Sequence, residues 1–169
     1  MYNFPKYEPN KWNKNPYILF SHNCYAYALD IISKKIKNKC KKKIKNVKKK
    51  EGDLCKEYKP QPAKKLKMKN IEKLLLKNNP KIKKIRKNQK IDYNLYYKIA
   101  LFTGKTGYHF YRQDINMYWS HKPGWFKASN KDENKKLIKD PTKCNRGVYK
   151  KLIGFYKVPI NKKMKKLNE

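Results

Sequence analysis

The sequence predicts an α+β fold, with helices first and an antiparallel sheet after them. Three observations carry this. A helical apolar spacing, Tyr25, Ala28, Leu29 and Ile32, follows a cap-like Ser21-His22-Asn23. A second short helix is signalled by Asn70 and stopped at Asn78-Asn79-Pro80. From residue 95 onward, aromatic and branched runs alternate with Gly, Asp-Pro and Pro-Gly punctuation.

In chain order, residues 1–20 contain Pro5, Pro9 and Pro16 and read as an extended lead-in. The first helix is expected from Cys24 to about Ile36, capped by Ser21 or Asn23. Lys34 to Lys50 carries no acidic residue and reads as a solvated loop or frayed helix. Gly52-Asp53-Leu54 and Pro60-Gln61-Pro62 mark a crossover, and 81–90 reads as a basic connection. Strands are expected over 95–102, 108–113, 117–121 and 151–158. The whole chain, 1–169, suits one domain, with a lysine-rich insertion at about 34–69 and a basic tail at 159–169.

The formal net charge is +34, which predicts salt-sensitive attraction to polyanions such as nucleic acid. Lys41, Lys42, Lys43, Lys48, Lys49 and Lys50 are the candidate contacts. The only arginines are Arg86, Arg112 and Arg146, which argues against base-specific reading. The bland alternative is compositional drift, since Lys, Asn, Ile and Tyr dominate together.

No apolar run approaches a membrane span, and the N-terminus lacks a leader pattern, so a reduced intracellular protein is expected. Cys40, Cys55 and Cys144 read as buried small hydrophobes. No cofactor is implied, and no cysteine or histidine spacing is that of a zinc site.

Cys24 opens a predicted helix, where unpaired N–H groups favour a thiolate and can hold an oxyanion. Two of the three histidines, His109 and His121, fall in one hairpin. Centring its turn on Ile115 pairs Gln113 with Met117, Tyr111 with Trp119 and His109 with His121. The expectation is a Cys24 nucleophile, a His109 base and a His121 that orients it, acting on an amide or acyl substrate. His22 is the second candidate base. A zinc site of Cys24, His109 and His121 is the weaker alternative, and an aromatic packed face the bland one.

The order Cys24, His109, His121, with the histidines on adjoining strands, resembles the papain-like fold in its NlpC-type form. Gly52-Asp53-Leu54 is similar to a turn of that family. The string Tyr108-His109-Phe110-Tyr111-Arg112-Gln113-Asp114, continued by Trp119-Ser120-His121-Lys122-Pro123-Gly124, resembles a bacterial and large-DNA-virus subgroup. The resemblance covers about residues 17–125 and implies peptidase, amidase or acyltransferase chemistry. For a viral protein it implies the host cytoplasm or the virion. Around the nucleophile the chain has Asn23-Cys24-Tyr25 where the family often has Asp-Cys-Ser. A basic, nucleic-acid-binding virion component is the alternative function, and a secreted cell-wall hydrolase fits less well without a leader.

Overall fold

The computed structural model describes residues 4–45, 70–105 and 107–160. Among the described residues five helices come first: α1 (Pro9–Asn13), α2 (Pro16–Leu19), α3 (Cys24–Ala28), α4 (Lys34–Lys45) and α5 (Ile71–Asn78). Five strands follow: β1 (Lys83–Ile85), β2 (Tyr96–Thr103), β3 (Tyr108–Gln113), β4 (Trp119–His121) and β5 (Lys151–Pro159). They form one antiparallel sheet in the order β1-β5-β2-β3-β4. The chain is therefore α+β, as expected. Among the described residues no helix is long and apolar enough to cross a membrane.

The lead-in is not extended. Pro9 and Pro16 each begin a short helix, a position where a missing N–H costs nothing and φ is already helical. The helix expected over 24–36 is broken into α3 and α4. Asp30 sits at φ 52, Ile31 N–H bonds Ala26 O, and Asp30 N–H bonds Tyr27 O, the pairing of a left-handed helix stop. Aspartate stands there in place of glycine, and its carboxylate binds Lys11 and Arg112. Ser33 then opens α4, its Oγ accepting from Ile36 N–H. Part of the expected insertion is thus a regular helix, while residues 46–69, with Lys48, Lys49, Lys50 and the Gly52-Asp53-Leu54 turn, lie outside the described residues. Residues 161–169 do too; Pro159, placed in the tail by the sequence reading, ends β5.

The basic connection at 81–90 contains an unexpected edge strand, β1, whose Ile85 pairs with Phe155. Side chains alternate across the sheet and build two apolar clusters. One face, with Tyr97, Ile99, Leu101, Phe110, Tyr156 and Val158, packs on α3 and α5. The other, with Ala100, Phe102, Tyr111, Trp119 and Phe155, is covered by the segment around Ile138 and Tyr149. Gly104 lets that segment close: a Cβ there would lie 2.5 Å from Val148 O.

Candidate active site

β3 places His109 on the face of the second cluster, two residues before Tyr111. The β3–β4 register pairs Tyr111 with His121, Arg112 with Ser120 and Gln113 with Trp119. The hairpin expected to be centred on Ile115 is thus shifted by two residues, because Asp114 N–H bonds Tyr118 O and Met117, at φ 66, turns the chain. A two-residue shift keeps every side chain on its face. His109 and His121 become diagonal neighbours, still within reach of each other. Their rings bond through His109 Nε2 and His121 Nδ1 at 2.7 Å.

The proton positions follow from the partners. The other ring nitrogen of His121, Nε2, is 3.0 Å from the carbonyl oxygen of Lys131, which only accepts. Burial lowers the pKa of both histidines, that of His109 well below 6.5, so both are neutral. His121 therefore carries its proton on Nε2, and its Nδ1 accepts from His109 Nε2–H. This leaves a lone pair on His109 Nδ1, the form a general base requires.

Two tyrosines hold the rings. Tyr149 stacks on His109 at 5.0 Å and 20°, and Tyr111 stacks on His121 at 5.0 Å and 15°. Neither was singled out from sequence, although Tyr111 shares the strand face of His109 by simple alternation.

Cys24 begins α3, and Asn23 caps the helix by accepting from the N–H groups of Tyr25 and Ala26. With five residues, α3 supplies little more than one turn of oriented amides. Cys24 Sγ lies 4.0 Å from the carbonyl oxygen of Tyr108, directly before His109. It packs with Tyr25 and Phe110 on the helix-bearing face, whereas His109 packs with Tyr111 and Tyr149 on the other. The structure thus brings His109 and His121 into contact and sets the thiol against the backbone where β3 begins. Among the described residues no group of three or more His, Cys, Asp or Glu could hold a metal ion, so the zinc alternative has no geometry here.

His22 is a structural clasp. Its Nε2 accepts from Ser33 N–H at 2.9 Å, so its Nδ1–H donates to Ser21 Oγ at 2.8 Å. Burial lowers its pKa to about 4. Both ring nitrogens are committed to joining the turn before α3 to the start of α4.

Sequence reasoning gave no role to Arg112, whose side chain is fully buried. It bonds Asp114 at 2.8 Å, Asp30 at 3.3 Å, Tyr27 O at 3.1 Å and Lys6 O at 2.9 Å. Its guanidinium also sits 4.2 Å from the centre of the Tyr27 ring. Arg112 therefore ties α3, which carries Cys24, to β3, which carries His109. The signal was available: one of three arginines lay inside the string that carries the histidine.

Cys144 and Cys24 are not disulfide-bonded. Cys144 is half-buried beside Tyr149 on the histidine-bearing face, and burial pushes its thiol pKa up. Cys40 is buried on α4 and disulfide-bonded, unlike the inert reduced thiol expected there. Lys41, Lys42 and Lys43 are exposed on α4.

No family model matches the chain, and no solved structure matches it. The chain is similar to a protein named insoluble matrix shell protein 1 from Ruditapes philippinarum, 48% identical over 48 residues. That stretch is 28% of this chain and 32% of the relative. The alignment therefore spans about a third of the relative's length.

Proposed function

We propose that the protein is a cysteine hydrolase or acyltransferase of the papain-like, NlpC type, with Cys24 as nucleophile, His109 as base and His121 as the group that orients it. The observation that carries this reading is the histidine pair, whose partners leave a lone pair on His109 Nδ1; the Cys24 thiol lies 4.0 Å from the carbonyl oxygen of the preceding residue, Tyr108, on the opposite face of the sheet. Cys24 Sγ attacks an acyl carbon while its proton passes to His109 Nδ1. The sulfur–carbon bond forms, the bond to the amine or alcohol breaks, and His109 returns the proton to that leaving group. Water, or a second nucleophile, then releases the acyl group from sulfur. In this reading the backbone N–H of Cys24 stabilises the charge that develops on oxygen, the Tyr25 and Ala26 N–H groups being bonded to Asn23. The reading requires His109 Nδ1 to reach the thiol past the Tyr108–His109 peptide.

Competitive labelling tests it. An electrophilic acyl or haloacetamide probe should modify Cys24 ahead of Cys144, and His109→Ala should slow Cys24 alone. Faster reaction at Cys144, or equal rates in parent and variant, overturns the assignment.

A second reading is favoured by the net charge of +34 and the exposed Lys41, Lys42 and Lys43: a basic protein that binds polyanions without sequence preference. It is compatible with the first, since α4 and the histidine pair are separate elements.

A further inference from the structure

We infer that Lys83 and Lys157, opposed across β1 and β5 in one row with the buried Lys98 of β2, form a docking surface for the phosphodiester backbone of nucleic acid. This rests on the second reading above and gives it a place other than the lysine-rich run. Lys83 is opposed to Lys157, and Lys157 to Lys98, in the antiparallel register. Opposed residues share a face, so all three amines rise from the face away from α3 and α5. The neighbouring row, Ile85, Phe155 and Ala100, is buried in the second apolar cluster. Lys83 is exposed and Lys157 half-buried, whereas Lys98 is buried, 8% exposed, and backs the pair from within.

The fold uses Lys98 to bind the carbonyls of Lys87 and Gln89, but it sets Lys83 and Lys157 directly opposite each other. Like charges placed directly opposite each other are destabilising. Adjacent strands lie ~4.8 Å apart, so the three side chains start within roughly 10 Å. Among the described residues Lys11, Lys84 and Lys87 each pair with a carboxylate, and no carboxylate pairs with Lys83, Lys98 or Lys157. A charge cluster that the fold tolerates without neutralising it is a ready site for an external anion.

The row is also held in place. Lys157 Nζ lies 4.6 Å from the centre of the Tyr96 ring. Lys98 Nζ donates to the carbonyl oxygens of Gln89 at 2.7 Å and Lys87 at 3.3 Å. Charges already ordered lose less freedom on binding than the long exposed side chains of α4. The row contains no arginine, so it suits phosphate oxygens, which position a partner, more than base edges, which identify it.

The test uses the full chain and a fluorescent oligothymidylate titrated at several salt concentrations. Lys83→Gln/Lys157→Gln is compared with Lys41→Gln/Lys42→Gln, which removes the same charge from α4. The row variant should bind about tenfold or more weakly at low salt, with the log–log salt slope smaller by about 1.4, the value for two lost single-strand phosphate contacts. The α4 variant should stay close to the parent. Equal losses in the two variants would overturn the row and leave diffuse polyanion binding standing. No binding by the parent would overturn both. Binding of heparin at the row without binding of oligothymidylate would overturn nucleic acid as the partner. Thermal unfolding at low salt should show the row variant at or above the parent, since repulsion is removed. Should it unfold earlier, Lys83→Gln alone, at an exposed position, gives the same comparison with half the change in slope.

Discussion

His109 donates from Nε2 to Nδ1 of His121 across 2.7 Å, and the two are diagonal partners rather than opposed ones in the β3–β4 pair. The bond is directional. The carbonyl of Lys131 holds the proton of His121 on Nε2, and that choice propagates to His109.

Removing the base should cost more than removing its orienter. His109→Ala is expected to slow acylation of Cys24 by ~10²-fold or more, the usual contribution of a positioned base. His121→Ala should slow it less, and His121→Asn should recover part of the loss by keeping an acceptor for His109 Nε2–H. Because burial holds His109 well below 6.5, the acid limb of the rate profile should fall below pH 6.5. A midpoint at or above 6.5, read from stopped-flow rates against pH, would remove His109 as the base.

Acid should destabilise the protein through its histidines. His22 titrates near 6.5 when unfolded and at about 4 when folded, so the folded state favours the neutral ring. That stability is fully present above pH 6.5 and is lost as pH falls from 6.5 towards 4, where the unfolded chain binds the extra proton. The shift corresponds to about 3 kcal/mol. His109 and His121 act in the same direction. Denaturant unfolding at pH 7 and pH 4 should show a large loss in the parent and a smaller one in His22→Asn.

Arg112 should matter for stability beyond its charge. Arg112→Met leaves Asp114 buried without its partner and is expected to cost about 3–5 kcal/mol near neutral pH. Arg112→Lys should not restore it, because one ammonium cannot reach Asp114, Asp30, Tyr27 O and Lys6 O together. Adding Asp114→Leu to Arg112→Met should regain part of the loss. Urea unfolding of the four proteins checks each step.

Thiol labelling in denaturant should separate the cysteines. Before reduction, Cys24 and Cys144 are expected to react and Cys40 is not. After reduction Cys40 should react too. Peptide mapping reads the result, and labelling of Cys40 without reductant would contradict the disulfide.

The fold class, the boundaries of β3 and the face shared by the histidines were legible in the sequence. Each depends on short-range pattern: strand alternation, turn residues and caps such as Asn23. The hairpin register was not legible, because Asp114 to Tyr118 permits turns of different centre, and side-chain alternation cannot distinguish registers two residues apart. The length of α3 was hidden for a related reason. Asp30 adopts a left-handed conformation that suits glycine, and its gain comes from Lys11 and Arg112, 19 and 82 residues away. The protonation of the histidine pair depends on Lys131 and on burial under the segment around Tyr149, both of which arrive only when the sheet is covered. The row of Lys83, Lys157 and Lys98 is likewise invisible along the chain. Sequence determined which residues alternate on each strand; the tertiary pairing of β1, β5 and β2 decided that three distant lysines would stand side by side, because only long-range hydrogen bonds bring those strands together.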